Sequence, residues 1–172
     1  DLLSRGVIVG RFNGKMEYGP RALGNRSILV EPSHLEINNE LNARLGRTEF
    51  MPFAPVIMKE FGADLFWRFD ETLETSKYMT ITLDVRKEWV DRIAAVVHTD
   101  NTARPQWVSQ EYNPSLHRIL SSFYKITKIP ALINTSFNRH EEPIVCTPLD
   151  ALSTFNTGCI DALALGNYLL EN

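Results

Sequence analysis

The chain has 172 residues, 44% hydrophobic and 23% charged, with a formal net charge of −3. That length and composition suit one folded domain with a real core and exclude a disordered chain. The mild negative charge argues against a general nucleic-acid or anionic-membrane surface, which needs a basic footprint.

No apolar run approaches a membrane span and no signal-peptide pattern opens the chain. Cys146 and Cys159 have no CxxC partner and make no disulfide framework. The expectation is a reduced, cytoplasmic setting with neither nucleic acid nor membrane as partner. The first residue is Asp1, which reads as a piece of a larger functional unit.

Gly6 to Phe12 reads as a first strand. Lys15 to Ser27 follows, holding Arg21 and Arg26 beside Gly19-Pro20 and Gly24-Asn25, two turn signals. Residues 27–30 read as a strand. Ser33 is expected to cap a helix, with Glu36 completing a capping box and Gly46 ending it. Residues 51–58 hold two prolines and read as a strand at an edge or a bulge. A helical turn is expected over 60–67, and 69–77 is polar and acidic, the candidate mobile loop.

Alternation predicts a strand over 78–85, and a short polar helix over 86–93. Residues 93–98 form an apolar run and 103–110 another strand. Asn113-Pro114 starts a helix, with Leu116, Ile119, Leu120 and Phe123 on one face. Residues 130–134 read as a buried strand, 148–157 as a helix capped by Gly158. Residues 161–165 and 168–170 read as a strand or hairpin around Gly166-Asn167. No repeat or linker divides the chain. The expectation is a single α/β domain: a twisted mixed sheet with flanking helices.

Four stretches are polar where a strand meets a loop: the one around Arg21 and Arg26, then Arg44 to Phe50, His98 to Arg104, and Asn134 to Arg139. Two readings fit the first. Its arginines are planar charged forks suited to a phosphate or carboxylate, or they pair with Glu17 and Glu31 on a solvated loop. Arg44 and Arg47 also suit a helix C-terminus, and His98 also suits a core position. The histidines lack metal-ligand spacing, so no protein-bound metal is expected. Neither GxGxxG nor GxxxxGK[ST] is present. Together the four stretches describe a pocket for a polyanion.

The run Met16-Glu-Tyr-Gly-Pro-Arg-Ala-Leu-Gly-Asn-Arg-Ser-Ile28 resembles the signature of the carbamoyltransferase family, which includes nodulation-factor and antibiotic O-carbamoyltransferases. Further matches are Pro52-Phe-Ala-Pro55, His98-Thr-Asp-Asn-Thr-Ala-Arg104, Asn134-Thr-Ser-Phe-Asn138 and Glu142-Pro-Ile-Val145. The resemblance covers essentially the whole chain and corresponds to the family's C-terminal domain. It implies a YrdC-like fold over a basic cavity, in which carbamoyl phosphate and ATP become carbamoyl adenylate. It also implies an N-terminal, actin-like ATPase-type domain, not contained in this chain, that transfers the carbamoyl group to an acceptor hydroxyl.

Carried over by motif, Arg47, Ser136 and Asn138 would hold the ATP phosphates, with Mg²⁺ arriving on ATP. Arg21, Arg26 and Arg104 would hold phosphate and carbamoyl oxygens, and Asn134 would orient the carbamoyl amide. His98 would orient Arg104 or donate to the carbamoyl group. Two family cations are replaced here, by Leu45 and Met51, and Arg44 is the candidate substitute for one. The alternatives are a threonylcarbamoyl-adenylate synthase on the same fold and a non-catalytic nucleotide- or RNA-binding module.

Overall fold

The computed structural model describes residues 1–47 and 52–172. Its strands are β1 (Val9–Phe12), β2 (Arg26–Val30), β3 (Ala54–Met58), β4 (Leu83–Asp84), β5 (Thr102–Ala103), β6 (Gln106–Val108), β7 (Ala131–Ser136), β8 (Ala162–Leu165) and β9 (Tyr168–Glu171). The helices are α1 (Ile37–Arg44), the single turns α2 (Gly62–Leu65), α3 (Leu73–Ser76) and α4 (Lys87–Val90), then α5 (Pro114–Thr127) and α6 (Pro148–Asn156). Seven strands form one mixed sheet in the order β6-β3-β7-β2-β1-β8-β9, and β4 pairs with β5 beside it. The expected α/β fold with a mixed sheet and flanking helices is what forms.

Side-chain alternation splits the core between the two faces of the sheet. Leu29, Val56, Val108 and Leu132 pack under α5 with Leu116, Leu120 and Phe123. Ile28, Val30, Ile57 and Ile133 pack on the other face with Leu41 of α1 and Phe155 of α6. Each fully buried side chain of this size contributes about 1.5–3 kcal/mol relative to exposure.

The helix ends follow their local chemistry. Asn113 Oδ1 accepts from Leu116 N at 3.1 Å, ahead of Pro114 in the first turn. Thr147 and Asp150 form a reciprocal capping box on α6.

Five expectations change. Ser33 does not cap α1, which begins at Ile37; Glu31 Oε1 instead takes the Ser33 N–H at 2.9 Å. β3 is interior, between β6 and β7, despite Pro55. Its pairing with β6 starts only at Val56, so the proline precedes that ladder. Residues 69–77 are not a loose loop but two successive helical turns, anchored by buried Phe69. The alternating run 78–85 is broken by Met79 at φ 57°, leaving strand only at Leu83–Asp84. The run 103–110 is cut at Arg104-Pro105, so its halves join different sheets.

Candidate functional site

The arginine-rich loop after β1 is held by its own carboxylate. Glu17 Oε1 accepts from Leu23 N at 2.7 Å and Asn25 N at 2.6 Å. Glu17 therefore serves the loop backbone, and neither it nor Glu31 forms an ion pair with Arg21 or Arg26 among the described residues. Gly24 sits at φ 118°, and a Cβ there would collide with the Leu116 side chain, so only glycine lets the loop lie on α5.

Two arginines clamp the loop from beneath. Arg11, 3% exposed, donates to Gly24 O, to Asn25 Oδ1 at 3.2 Å and to Ser115 Oγ at 2.8 Å. Burial lowers its pKa to about 10, which still leaves it charged at neutral pH. Arg26 lies 3.5 Å over the Phe12 ring and donates to the carbonyls of Asn13, Gly14 and Asn25.

With the loop fixed, Pro20, Arg21 and Ala22 form one wall of a cavity of about 100 Å³ at the end of the sheet. Ala54 of β3 and Asn134, Thr135 and Ser136 of β7 form its floor; Arg47 and Arg104 enter from α1's end and from the β5–β6 break. Among the described residues, none of those lining the cavity is acidic.

Arg47 donates to Thr135 Oγ1 at 3.1 Å and lies 5.1 Å from the Phe53 ring centroid, and burial lowers its pKa. Burial likewise lowers that of Arg104, and the neighbouring charge of Arg21 lowers it further. Arg104 Nε is enclosed without a hydrogen-bond partner among the described residues. Arg21 is exposed at the mouth and makes no hydrogen bond or ion pair among the described residues. Three guanidinium groups thus face one small space with no carboxylate to neutralise them among the described residues. Such a wall is stabilised by an anion with oxygens for planar forks.

Five sequence-identified residues therefore meet here: Arg21, Arg47, Arg104, Asn134 and Ser136. Four lie elsewhere. Arg26 is part of the loop's clamp. Arg44 pairs with Glu40 at 2.7 Å and Asp161 at 2.5 Å and does not reach the cavity as a substitute cation; these partners raise its pKa. Leu45, in the position of a family lysine, is fully buried in the core, and Met51 lies outside the described residues. Asn138 Nδ2 donates to Arg139 O and Glu142 O, both at 2.8 Å, stapling the loop after β7.

His98 Nδ1 stands 3.0 Å from Thr102 Oγ1, and the ring lines a second cavity of about 560 Å³ with Leu35, Asn38, Val97 and others. Pro52 lines both cavities, so they adjoin. Sequence reasoning missed Arg11 and Gln106. Each is a polar residue in an otherwise buried strand, which is itself the signal. Among the described residues no group of three or more His, Cys, Asp or Glu is placed to hold a metal, and no helix is long and apolar enough to cross a membrane.

Comparison with known proteins places the chain in a family. The model of the carbamoyltransferase C-terminus matches residues 1–172. An uncharacterized protein of Methanocaldococcus jannaschii is 40% identical over 172 residues, covering 99% of this chain and 28% of that protein. Nodulation protein NolO of Bradyrhizobium diazoefficiens is 39% identical, covering 99% of this chain and 31% of its own. The chain thus spans less than a third of the length of these curated relatives.

Among solved structures, full-length HypF in its phosphate- and nucleotide-bound form superposes with a TM-score of 0.67 at 21% identity, over 96% of this chain and 24% of HypF. HypF of T. kodakarensis gives 0.62 at 19% identity, over 98% and 20%. At this identity the likeness establishes the fold, the YrdC-like α/β sheet expected above. The family match over the whole length and the relatives near 40% identity establish more: this chain belongs to the carbamoyltransferase C-terminal domain family.

Proposed function

We propose that this chain is the carbamoyl-adenylate-forming domain of an O-carbamoyltransferase, with carbamoyl phosphate and ATP–Mg²⁺ as substrates. The observation that carries the reading is the cavity into which Arg21, Arg47 and Arg104 converge without an acidic partner among the described residues. Its volume of about 100 Å³ suits one phosphate-sized group with a small substituent, not a whole nucleotide. The larger cavity beyond Pro52 has apolar walls and polar edges at His98 and Asn38, and would take the nucleoside. The relative with a phosphate- and nucleotide-bound structure lends the reading further support.

The chemistry needs charge stabilisation more than a protein nucleophile. Water hydrolyses carbamoyl phosphate to carbamate and phosphate. A carbamate oxygen then attacks the α-phosphorus of ATP, the α–β bridging bond breaks, and pyrophosphate leaves. Arg21 and Arg104 would hold the phosphate and carbamoyl oxygens, and Arg47 with Ser136 the phosphates of ATP. Arg26 would act through the loop that carries Arg21. Mg²⁺ would enter with the nucleotide and offset part of its phosphate charge. Transfer to an acceptor hydroxyl would fall to a further, N-terminal domain of a longer protein, for which the length of the relatives leaves room.

The test is a pyrophosphate-release assay on this chain with ATP–Mg²⁺. Release that requires carbamoyl phosphate and is lost in Arg104→Ala is expected. ATP binding without carbamoyl-phosphate-dependent release would contradict the adenylation reading and leave a nucleotide-binding module.

A further inference from the structure

The floor of the arginine cavity contains an amide whose orientation is fixed. Gln106 Nε2 donates to Leu23 O at 2.7 Å, and a backbone carbonyl can only accept. Gln106 Oε1 is therefore the atom turned toward Asn134. Asn134 Nδ2 donates to it at 2.7 Å and to Ala22 O at 3.1 Å. Both N–H bonds of Asn134 are thereby used. Flipping either amide would set acceptor against acceptor, so the network has one consistent arrangement.

This arrangement leaves Asn134 Oδ1 as an acceptor without a partner among the described residues, on a residue 2% exposed. Ala54, registered against Asn134 on the neighbouring strand, offers only a methyl group and leaves room for the crossing from β6 to β7. An unsatisfied buried acceptor is costly, and native structures retain few of them. Around it the arginines supply donors alone. The complementary ligand therefore has anionic oxygens for the arginines and one N–H for Oδ1. A carbamoyl phosphate has that N–H. An acetyl phosphate places a methyl group there, and a carboxy phosphate another oxygen.

We propose that Gln106 is a positioning residue that locks the Asn134 amide as an N–H acceptor, and so selects carbamoyl over acetyl or carboxy groups in this cavity. The inference rests on the reading of the cavity as the carbamoyl phosphate site. It also explains why a glutamine stands in a strand whose residues are all buried.

The experiment is calorimetric titration of carbamoyl phosphate, acetyl phosphate and inorganic phosphate into this chain and into Gln106→Leu. The wild type is expected to prefer carbamoyl over acetyl phosphate by about tenfold. Gln106→Leu is expected to bring that ratio within about twofold while still binding inorganic phosphate, which a loss of folding would not allow. Equal wild-type affinities for the two acyl phosphates overturn the proposal, whether or not the variant folds. A tenfold preference that survives in Gln106→Leu overturns the assignment to Gln106. Acyl-phosphate selectivity can fail with phosphate binding intact; if the wild type binds none of the three anions, the underlying site reading falls as well.

Discussion

Six of the arginines in the polar stretches and strands divide into two sets. Arg11, Arg26 and Arg44 donate to carbonyls, amide and hydroxyl oxygens or carboxylates of the chain itself, with Arg26 Nε left without a partner among the described residues. Arg21, Arg47 and Arg104 have no carboxylate partner among the described residues and share one cavity. The guanidinium chemistry is the same in both sets. What separates frame from site is whether the fold has already supplied acceptors, because a satisfied fork has little left to offer a ligand. Arg21 and Arg26 lie in the same short motif and fall on opposite sides of that division.

Substitutions can break this division. The largest effect is expected for Arg11→Ala, which removes a donor from three acceptors, the buried Gly24 carbonyl among them, and opens a void. A loss of about 3 kcal/mol in urea unfolding is expected. Arg104→Ala is expected to do the converse: about a hundredfold weaker phosphate binding, equivalent to about 2.7 kcal/mol. Its Tm should stay within a few degrees, as seen by differential scanning calorimetry. Arg26→Ala should cost about 1–2 kcal/mol of stability through its three carbonyl contacts and its ring. If Arg26→Ala folds normally yet loses phosphate as Arg104→Ala does, Arg26 belongs to the site.

Arg44→Ala should cost about 0.5 kcal/mol, since its partners are partly exposed and screened. The smallest effect concerns acid. The backbone N–H groups of Thr147 and Cys146 hold the Asp150 carboxyl below its ordinary pKa. A depressed carboxylate stabilises the fold above its unfolded pKa of about 3.9, and that contribution is lost as the pH falls through the folded value. Amides at the start of α6 should therefore exchange faster, relative to intrinsic rates, at about pH 3 than at pH 5. Asp150→Asn should remove that step.

Much of the fold was legible because its signals are local. Asn113-Pro114 and Thr147-Pro148 state their helix starts in neighbouring residues, and Gly166-Asn167 states its hairpin. Tertiary context decided the rest. Pro55 reads as an edge signal, but its strand gains the parallel neighbour one residue later. Residues 78–85 alternate like a strand, yet Met79 in the left-handed region turns the chain away. Motifs pointed to Arg21, Arg47, Arg104, Asn134 and Ser136, which line one cavity. They gave no hint that the terminal nitrogens of Arg26 and Arg44 are already engaged, because their acceptors on Asn13, Gly14 and Asp161 are set by folding. Gln106 was open to notice as a polar residue in a buried strand; its partner across β3 was not.

The most direct measurement is calorimetric titration of inorganic phosphate into the wild type, Arg104→Ala and Arg26→Ala, each first shown to be folded. Phosphate binding that falls about a hundredfold in Arg104→Ala and changes by less than about threefold in Arg26→Ala is the expected result. Equal losses in both, or undiminished binding in Arg104→Ala, would contradict the division of the arginines into frame and site.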